Sequence, residues 1–313
     1  MSFDAIALLA VLNTPGAGNA IARQALAAGM AAGMPLDSLL QLPPRQLTEA
    51  LPVNTDARVV SSLAAAVSHR EQAERIYLKA THAGAQAVTV QSDDYPRGLL
   101  SSLGESAPVL LWIAGNMDVL AAPCGAVVGA RDAGERGLLL AQACAEALVE
   151  AAMTVVSGGA QGVDMAAHSA AIGGGGVTAM VLPQGVLTFR PPREALEAMD
   201  EGRLALISAC PPDMEWQTHA AVERNAFISG LSDLVCVIEP KKKGGSIRTG
   251  RAAIEQGKPV LVYPAPSFPE GARLLQAAGA VPLLGPDGQF DPNRITGAAS
   301  IRQHGDPRQA ELF

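Results

Sequence analysis

From residue 126 to residue 263, short apolar segments rich in β-branched residues alternate with longer stretches of helical character. Continuous apolar strands separated by helices are typical of parallel strands buried on both faces of a sheet. The pattern therefore predicts an α/β fold with a doubly wound, mostly parallel sheet. The predicted strands are 87–90, 109–114, 126–128, 154–156, 177–182, 204–208, 234–239 and 259–263. The predicted helices between the later strands are 133–152, 163–172, 192–201, 224–231 and 249–256.

The first 83 residues have a different texture, with little β-branched content and repeated Gly/Pro interruptions. They predict a small all-helical domain, with helices at 5–12, 20–28, 38–42, 44–51 and 56–82. We place the α/β domain at 84–285. The remaining residues, 286–313, are polar and interrupted by Gly and Pro, and we expect them to form a tail.

Charge and composition exclude several classes of protein. The chain carries 23 Lys and Arg against 30 Asp and Glu, and the net charge of −7 excludes a broadly basic nucleic-acid binder but not a local basic patch. Aromatic residues, at 4%, are too few for a protein that binds single strands mainly by base stacking. The four cysteines form no CxxC pair, and neither a signal peptide nor a membrane-spanning run is present, so we expect a cytoplasmic protein without a metal site.

Glycine and basic residues follow four of the predicted strands. In an open parallel sheet the carboxyl ends of the strands share one edge, and glycine-rich loops that open helices there bind anions through backbone amides. One such loop alone is equally well explained by strand–helix packing, but four together predict a phosphate-binding groove. Neither GxGxxG nor GxxxxGK[ST] occurs, so a dinucleotide redox enzyme and a P-loop NTPase are not supported. The candidate DNA- or phosphate-binding residues are Arg131, Ser157, Gly158, Gly159, Gly162, Asp164, Arg224, Asn225, Lys241, Lys242, Lys243, Gly244, Gly245, Ser246, Arg248 and Thr249.

Several of these features have a structural alternative. Asp164 is either a cap on the following helix, which we favour, or a carboxylate aimed at a ribose or at Ser157. His168 follows on the same helix face and is more simply a packed, hydrogen-bonded histidine than a catalytic one. The run Lys241–Lys243 is either a solvated surface or part of the anion site. Residues 12–20 have the form of a helix-hairpin-helix DNA-binding element or of a plain helix–helix turn, with Arg23 the nearest basic residue.

The order of the motifs resembles the DNA-processing protein A (DprA/Smf) family of recombination mediators. The resemblance implies an extended Rossmann-like domain behind a small helical domain, single-stranded DNA binding, loading of a RecA-type recombinase, a homodimer, and no metal or nucleotide cofactor. It gives family roles to Arg131, to the loop from Ser157 to Asp164, to the pair Arg224 and Asn225, and to Gly245, Ser246 and Thr249. The matching segments are 94–96, 108–116, 127–131, 155–168, 174–185, 223–232 and 244–257.

The chain departs from the family pattern at several positions. Gln161 and Ala226 stand where the family has arginine, and the loss of two positive charges weakens phosphate contact. The lysine run and Arg248 are candidates to compensate. We expect no winged-helix domain, which many members carry. These departures leave open whether the protein serves transformation or a related specialised role.

The main alternative function is a nucleotide-binding or nucleotide-hydrolysing enzyme, because the same superfamily contains hydrolases that resemble PGGxGTxxE. Here the first acid after the glycine loop is Glu255, and Arg251, Ala252 or Ala253 fills the expected carboxylate position. Hydrolysis without a positioned acid or base is hard to derive, so we expect no catalysis.

At the C-terminus, Gln309, Leu312 and Phe313 form a Gln-x-x-Leu-Phe pattern that resembles a sliding-clamp docking peptide. The alternative is a chance match or packing of these residues on the protein itself.

Overall fold

The computed structural model describes the backbone of residues 3–303 and the side chains of residues 4–298. Gln309, Leu312 and Phe313, predicted to bind a sliding clamp, lie outside the described residues. The chain divides into two compact units. The first contains the chain up to Ala114 together with Gln184–Phe189 and Ile207–Gln217. The second contains Gly115–Pro183, Arg190–Leu206 and the chain from Thr218 onward.

The first unit begins with five helices, as the sequence predicted. The first helix is rich in alanine and leucine and is buried along Ala5–Val11. The longest helix is capped by Asp56, whose side chain accepts a hydrogen bond from the Arg58 amide at 2.7 Å. A short antiparallel strand pair follows. The helices are α1 (Phe3–Leu12), α2 (Asn19–Ala31), α3 (Leu36–Leu40), α4 (Pro44–Ala50), α5 (Ala57–His82) and α6 (Arg97–Leu103), and the strands are β1 (Ala85–Thr89) and β2 (Leu110–Gly115).

The hairpin between α1 and α2 uses its polar side chains within the first unit. The Asn19 amide donates to the Ala107 carbonyl at 2.8 Å and accepts from the Val109 amide at 2.7 Å. The Arg23 guanidinium also donates to the Ala107 carbonyl, at 2.6 Å. Arg23, the basic residue nearest to the hairpin, therefore fixes α2 to the chain that enters β2.

The second unit is built on a mostly parallel sheet. Its strand order is β6-β5-β4-β3-β7-β8-β9, and the pairs β3–β4, β3–β7, β4–β5, β7–β8 and β8–β9 are parallel. The α/β fold and the mostly parallel sheet predicted from the sequence are confirmed. The strands are β3 (Cys124–Gly129), β4 (Thr154–Ser157), β5 (Thr178–Leu182), β6 (Leu204–Ser208), β7 (Leu234–Ile238), β8 (Val260–Tyr263) and β9 (Val281–Pro282).

Two helices of this unit begin earlier than predicted. The helix predicted from 224 begins at Thr218, because the segment before Arg224 contains good helix formers and buries Ala220. The helix predicted from 249 begins at Gly245, and Gly244 separates it from the lysine run. The helices are α7 (Glu135–Glu150), α8 (Val163–Gly173), α9 (Arg193–Asp200), α10 (Thr218–Leu231), α11 (Gly245–Glu255), α12 (Glu270–Ala277) and α13 (Asn293–Gln303).

The predicted tail at 286–313 is wrong for its first part. Residues 293–303 form α13, and Ile295 is fully buried in the apolar core that α7 and α8 form with β3 and β7. Arg294 donates a hydrogen bond to the Pro282 carbonyl at 2.8 Å. The polar residues that suggested a tail are compatible with a helix that needs only one buried apolar face.

Within residues 3–303, the structure contains no helix with the length and apolar character that crossing a bilayer requires.

Candidate nucleic-acid interface

The strand order creates a crevice between β3 and β7. From β3 the chain proceeds through β4, β5 and β6 on one side, whereas β7, β8 and β9 lie on the other. Ligands of open α/β sheets bind at such a reversal, beyond the carboxyl ends of the strands. Gly129 at the end of β3 is paired with Ile238 at the end of β7, and the Ala130 amide donates to the Ile238 carbonyl at 3.2 Å. The loops that carry Arg131 and the lysine run therefore emerge side by side.

The loop between β4 and α8 packs directly on the loop after β3. A Cβ atom on Gly162 would lie 2.5 Å from the Ala130 carbonyl oxygen and 2.6 Å from that of Arg131. Gly162 also has a φ of +81°, and the Val163 amide donates to the Ala130 carbonyl at 3.2 Å. Only glycine meets both conditions without strain. This glycine thus brings Arg131, which is exposed, against the loop 157–162.

Ser157 and Asp164 organise that loop from within. The Ser157 hydroxyl donates to the Val127 carbonyl at 2.6 Å, and the buried Asp164 carboxylate accepts from the Ala160 amide at 3.4 Å. Burial raises the pKa of Asp164, while the charge of Arg224 and hydrogen bonds from the Ala160 and Gly129 amides lower it. The carboxylate is therefore directed from the first turn of α8 at its own loop, and it makes no side-chain cap at the start of that helix.

Arg224 lies in the middle of α10, not at the start of a helix as predicted. Its side chain crosses to the β4–α8 loop, where a Cβ atom on Gly158 would lie 1.6 Å from Nη1 and 2.4 Å from Cζ. Only 7% of Arg224 is exposed. Burial lowers the pKa of Arg224, the negative charge of Asp164 raises it, and the positive charge of Arg131 lowers it. Arg224 therefore interacts electrostatically with both Asp164 and Arg131. The glycine at 158 makes room for the guanidinium.

His168 lies beneath this cluster and is fully buried. The Thr178 hydroxyl donates to the Val155 carbonyl at 2.7 Å, so its oxygen accepts the proton of His168 Nδ1, also at 2.7 Å. Burial and the charge of Arg224 lower the pKa of His168 to about 3. The imidazole is neutral and hydrogen-bonded, as the structural alternative proposed.

The lysine run and the start of α11 form the other side of the crevice. Lys241 pairs with Asp132 at 2.7 Å, whereas Lys242 and Lys243 are exposed. Gly244 precedes α11 with a φ of +147° and provides no side-chain cap, which leaves the first amides of the helix available to an anion.

The first turn of α11 contains further predicted residues. Gly245 contacts Asn225, whose amide oxygen would lie 3.3 Å from a Cβ atom there. Asn225 itself donates to the Ala221 carbonyl at 3.0 Å. The buried Thr249 donates to the Gly245 carbonyl at 3.3 Å, while Ser246 is half-buried and Arg248 is exposed. Arg248 is the member of this turn whose charge is freely presented, while Asn225 and Thr249 hold the turn in place.

Glu239, a buried acid that directly follows β7, is not among the site residues predicted from the sequence. Its carboxylate accepts a hydrogen bond from the Gly134 amide at 3.0 Å, and its backbone has a φ of +49°. It therefore occupies the N-terminus of α7 and anchors the loop that carries Arg131. An acid at the carboxyl end of a buried strand, beside the glycine loops, was the signal that could have identified it.

No group of three or more His, Cys, Asp or Glu side chains that could hold a metal ion occurs within the described part of the chain.

A family model described as DNA recombination-mediator protein A matches residues 86–290, which is more than half of the chain. The chain belongs to this family. Protein Smf of Escherichia coli is 34% identical over 206 residues, which cover 64% of this chain and 54% of that protein. DNA processing protein DprA of Streptococcus pneumoniae is 34% identical over 178 residues, which cover 56% of this chain and 62% of that protein. The chain thus spans between half and two thirds of the length of these relatives.

Solved structures extend the similarity to most of the chain. The X-ray structure of DprA from Streptococcus pneumoniae matches with a TM-score of 0.70 and 26% identity, covering 90% of this chain and 96% of that one. A structure of DNA processing protein A from Helicobacter pylori, which addresses the single-stranded DNA binding mode of that protein, has a TM-score of 0.55 and 23% identity and covers 70% of this chain and 96% of that one. The second match supports the fold alone. The family and the Rossmann-like fold implied by the sequence motifs are confirmed.

Proposed function

We propose that this chain binds single-stranded DNA in the crevice between β3 and β7. The observation that carries the proposal is the convergence there of free positive charge and glycine loops: Arg131, Lys242, Lys243 and Arg248 are exposed around the uncapped start of α11. Exposed cations beside backbone amides bind phosphates without reading the bases. The single-stranded DNA binding described for the Helicobacter pylori protein is consistent with this proposal.

Salt dependence tests the crevice. Affinity for a labelled oligo-dT should fall linearly with the logarithm of salt concentration, and each lost phosphate contact should reduce the slope by about 0.7 for a single strand. We expect Arg131→Ala and Arg248→Ala each to weaken binding and to reduce the slope. Arg75→Ala is the matched control, because Arg75 is an exposed arginine on α5 in the other unit. Wild-type affinity and slope in the double variant Arg131→Ala/Arg248→Ala would refute the proposal.

The role that we propose for this binding is recombination mediation, in which the protein loads or assists a RecA-type recombinase. Its support is the family to which the chain belongs. The test is recombinase ATPase activity on a single strand already covered by single-strand-binding protein. We expect the chain to shorten the lag before ATP hydrolysis, and Arg131→Ala/Arg248→Ala to lose that effect. An unchanged lag with the wild-type chain would refute this role.

We also propose that the chain forms a homodimer, and sedimentation equilibrium should give twice the mass of one chain.

We further propose that Gln309, Leu312 and Phe313 dock on a sliding clamp. For the clamp, a peptide of residues 308–313 should bind, and the Leu312→Ala/Phe313→Ala peptide should not. Equal binding by both peptides would remove the clamp proposal. We propose no catalytic step, because the stretch Gly245–Ala253, which follows the glycine loop, contains no acid.

A further inference from the structure

The guanidinium of Arg224 is buried without a partner. Although only 7% of the residue is exposed, it forms no hydrogen bond or ion pair with any residue in 3–303, and its Nε atom is enclosed and unsatisfied. A buried charge with no hydrogen-bond partner is costly, and folded proteins rarely retain one without a reason. The described structure therefore contains a nearly enclosed cation that no residue in 3–303 pairs with.

The neighbouring acid does not fill that role. Asp164 affects Arg224 only electrostatically, and its carboxylate already accepts a hydrogen bond from the Ala160 amide at 3.4 Å. Arg131, a second cation, lies close enough to disfavour the charge of Arg224. His168 is neutral and adds no charge. The cluster thus has two cations and one carboxylate that is already hydrogen-bonded.

We propose that Arg224, with Arg131 and the backbone of Gly158, binds a phosphomonoester: the terminal phosphate of a DNA strand or the phosphate of a free nucleotide. This inference rests on the proposed crevice, which it deepens by naming the chemical group bound at its inner end.

Two physical arguments select a monoester over the phosphodiesters of the strand. A monoester carries about two negative charges at neutral pH, which two arginines match better than the single charge of a diester. A phosphodiester also has a sugar on both sides, whereas a terminal phosphate is bare on one side and can approach a side chain that is almost enclosed. The phosphodiesters are left to the exposed Lys242, Lys243 and Arg248.

The experiment compares end chemistry on one strand. A twenty-nucleotide oligo-dT is measured with a 5′-phosphate, with a 3′-phosphate and with hydroxyls at both ends, and thymidine 5′-monophosphate is titrated separately by calorimetry. We expect one phosphorylated end, or the mononucleotide, to bind about tenfold more tightly than its hydroxyl counterpart, the scale of a charge-assisted hydrogen bond. Which arm responds identifies the source of the phosphomonoester. Equal affinity of all three oligonucleotides together with no binding of the mononucleotide would overturn the proposal.

Two variants assign the effect to Arg224. Arg224→Lys should remove the preference for a phosphorylated end. If Arg224→Lys does not fold, Gly158→Ala tests the same point, because the methyl group added at position 158 would displace the flexible Arg224 guanidinium. Arg248→Ala is the contrasting variant, since it should weaken all three oligonucleotides by the same factor and keep their ratio. A preference that survives Gly158→Ala overturns the assignment. If no single strand binds, the proposed function fails, and the mononucleotide titration still decides the Arg224 site.

Discussion

Replacing His168 by asparagine should flatten the pH dependence of stability. The amide nitrogen of asparagine can donate to Thr178 much as Nδ1 does at 2.7 Å, but it has no proton to gain. In the wild type, Nε2 is buried with no partner in the described structure, so protonation would place a desolvated charge in the interior and would add a further cation near Arg224. This is why the pKa of His168 falls to about 3.

The sign and size of the effect follow from linkage. An unfolded histidine has a pKa of about 6.5, so between that value and about 3 the unfolded chain binds a proton that the folded chain does not. The stability from neutral His168 is fully present above the unfolded pKa and is lost as pH falls. The loss approaches about 1.4 kcal/mol per pH unit, or about 2 kcal/mol from pH 7 to pH 5.

Urea denaturation at pH 7 and pH 5 measures this difference. The wild type should lose about 2 kcal/mol more than His168→Asn over that interval. Asp164, whose pKa burial raises, contributes with the opposite sign, but it is present in both proteins and cancels in the comparison. His219→Asn, at an exposed position of α10, is the control and should behave as the wild type. Parallel pH profiles for the wild type and His168→Asn would refute a buried, neutral histidine.

Three further substitutions test packing around the crevice by the free energy of unfolding. Gly162→Ala should lower the free energy of unfolding by more than about 2 kcal/mol, because it adds a positive-φ penalty to a clash with the Ala130 carbonyl. Gly173→Ala, in open space on α8, is the control and should be nearly neutral. Equal effects of the two substitutions would contradict the close contact at Gly162. Glu239→Gln should cost about 1–2 kcal/mol by removing the charge at the start of α7, and no change would exclude that anchoring role. Lys258→Met should cost about 2–4 kcal/mol, since it deprives the Ser229 and Gly230 carbonyls of a buried donor, and a loss below about 0.5 kcal/mol would show that water replaces it.

The fold could be predicted because its information is local. The strands β3 to β8 are short apolar runs rich in β-branched residues, and their length and composition distinguish them from the longer helical stretches without knowledge of their neighbours. Helix starts were less predictable. Arg224 is predicted at the start of a helix, but it lies in the middle of α10 and is buried because Gly158, far away in sequence, leaves space for its guanidinium.

The location of the candidate site could be predicted from the sequence, but not which of its charged side chains are paired within the protein and which are free. Sequence position placed Lys241 and Lys242 together, yet only the fold brings Asp132 to Lys241 and leaves Lys242 free. Glu239 escaped notice for the same reason, since its partner, the Gly134 amide, comes from a loop more than a hundred residues earlier. Which charges are neutralised within the protein depends on such long-range pairs, and no local pattern records them.

The burial of Ile295 bears on how the protein can be dissected. The family match ends at 290, and a recombinant fragment cut there would lose α13 and uncover the apolar surface that Ile295 seals together with Leu283 and Phe290. Such a fragment should be prone to aggregation, although it retains every residue of the crevice. The compact second unit therefore extends past the segment that the family match covers, and expression boundaries are better placed beyond α13.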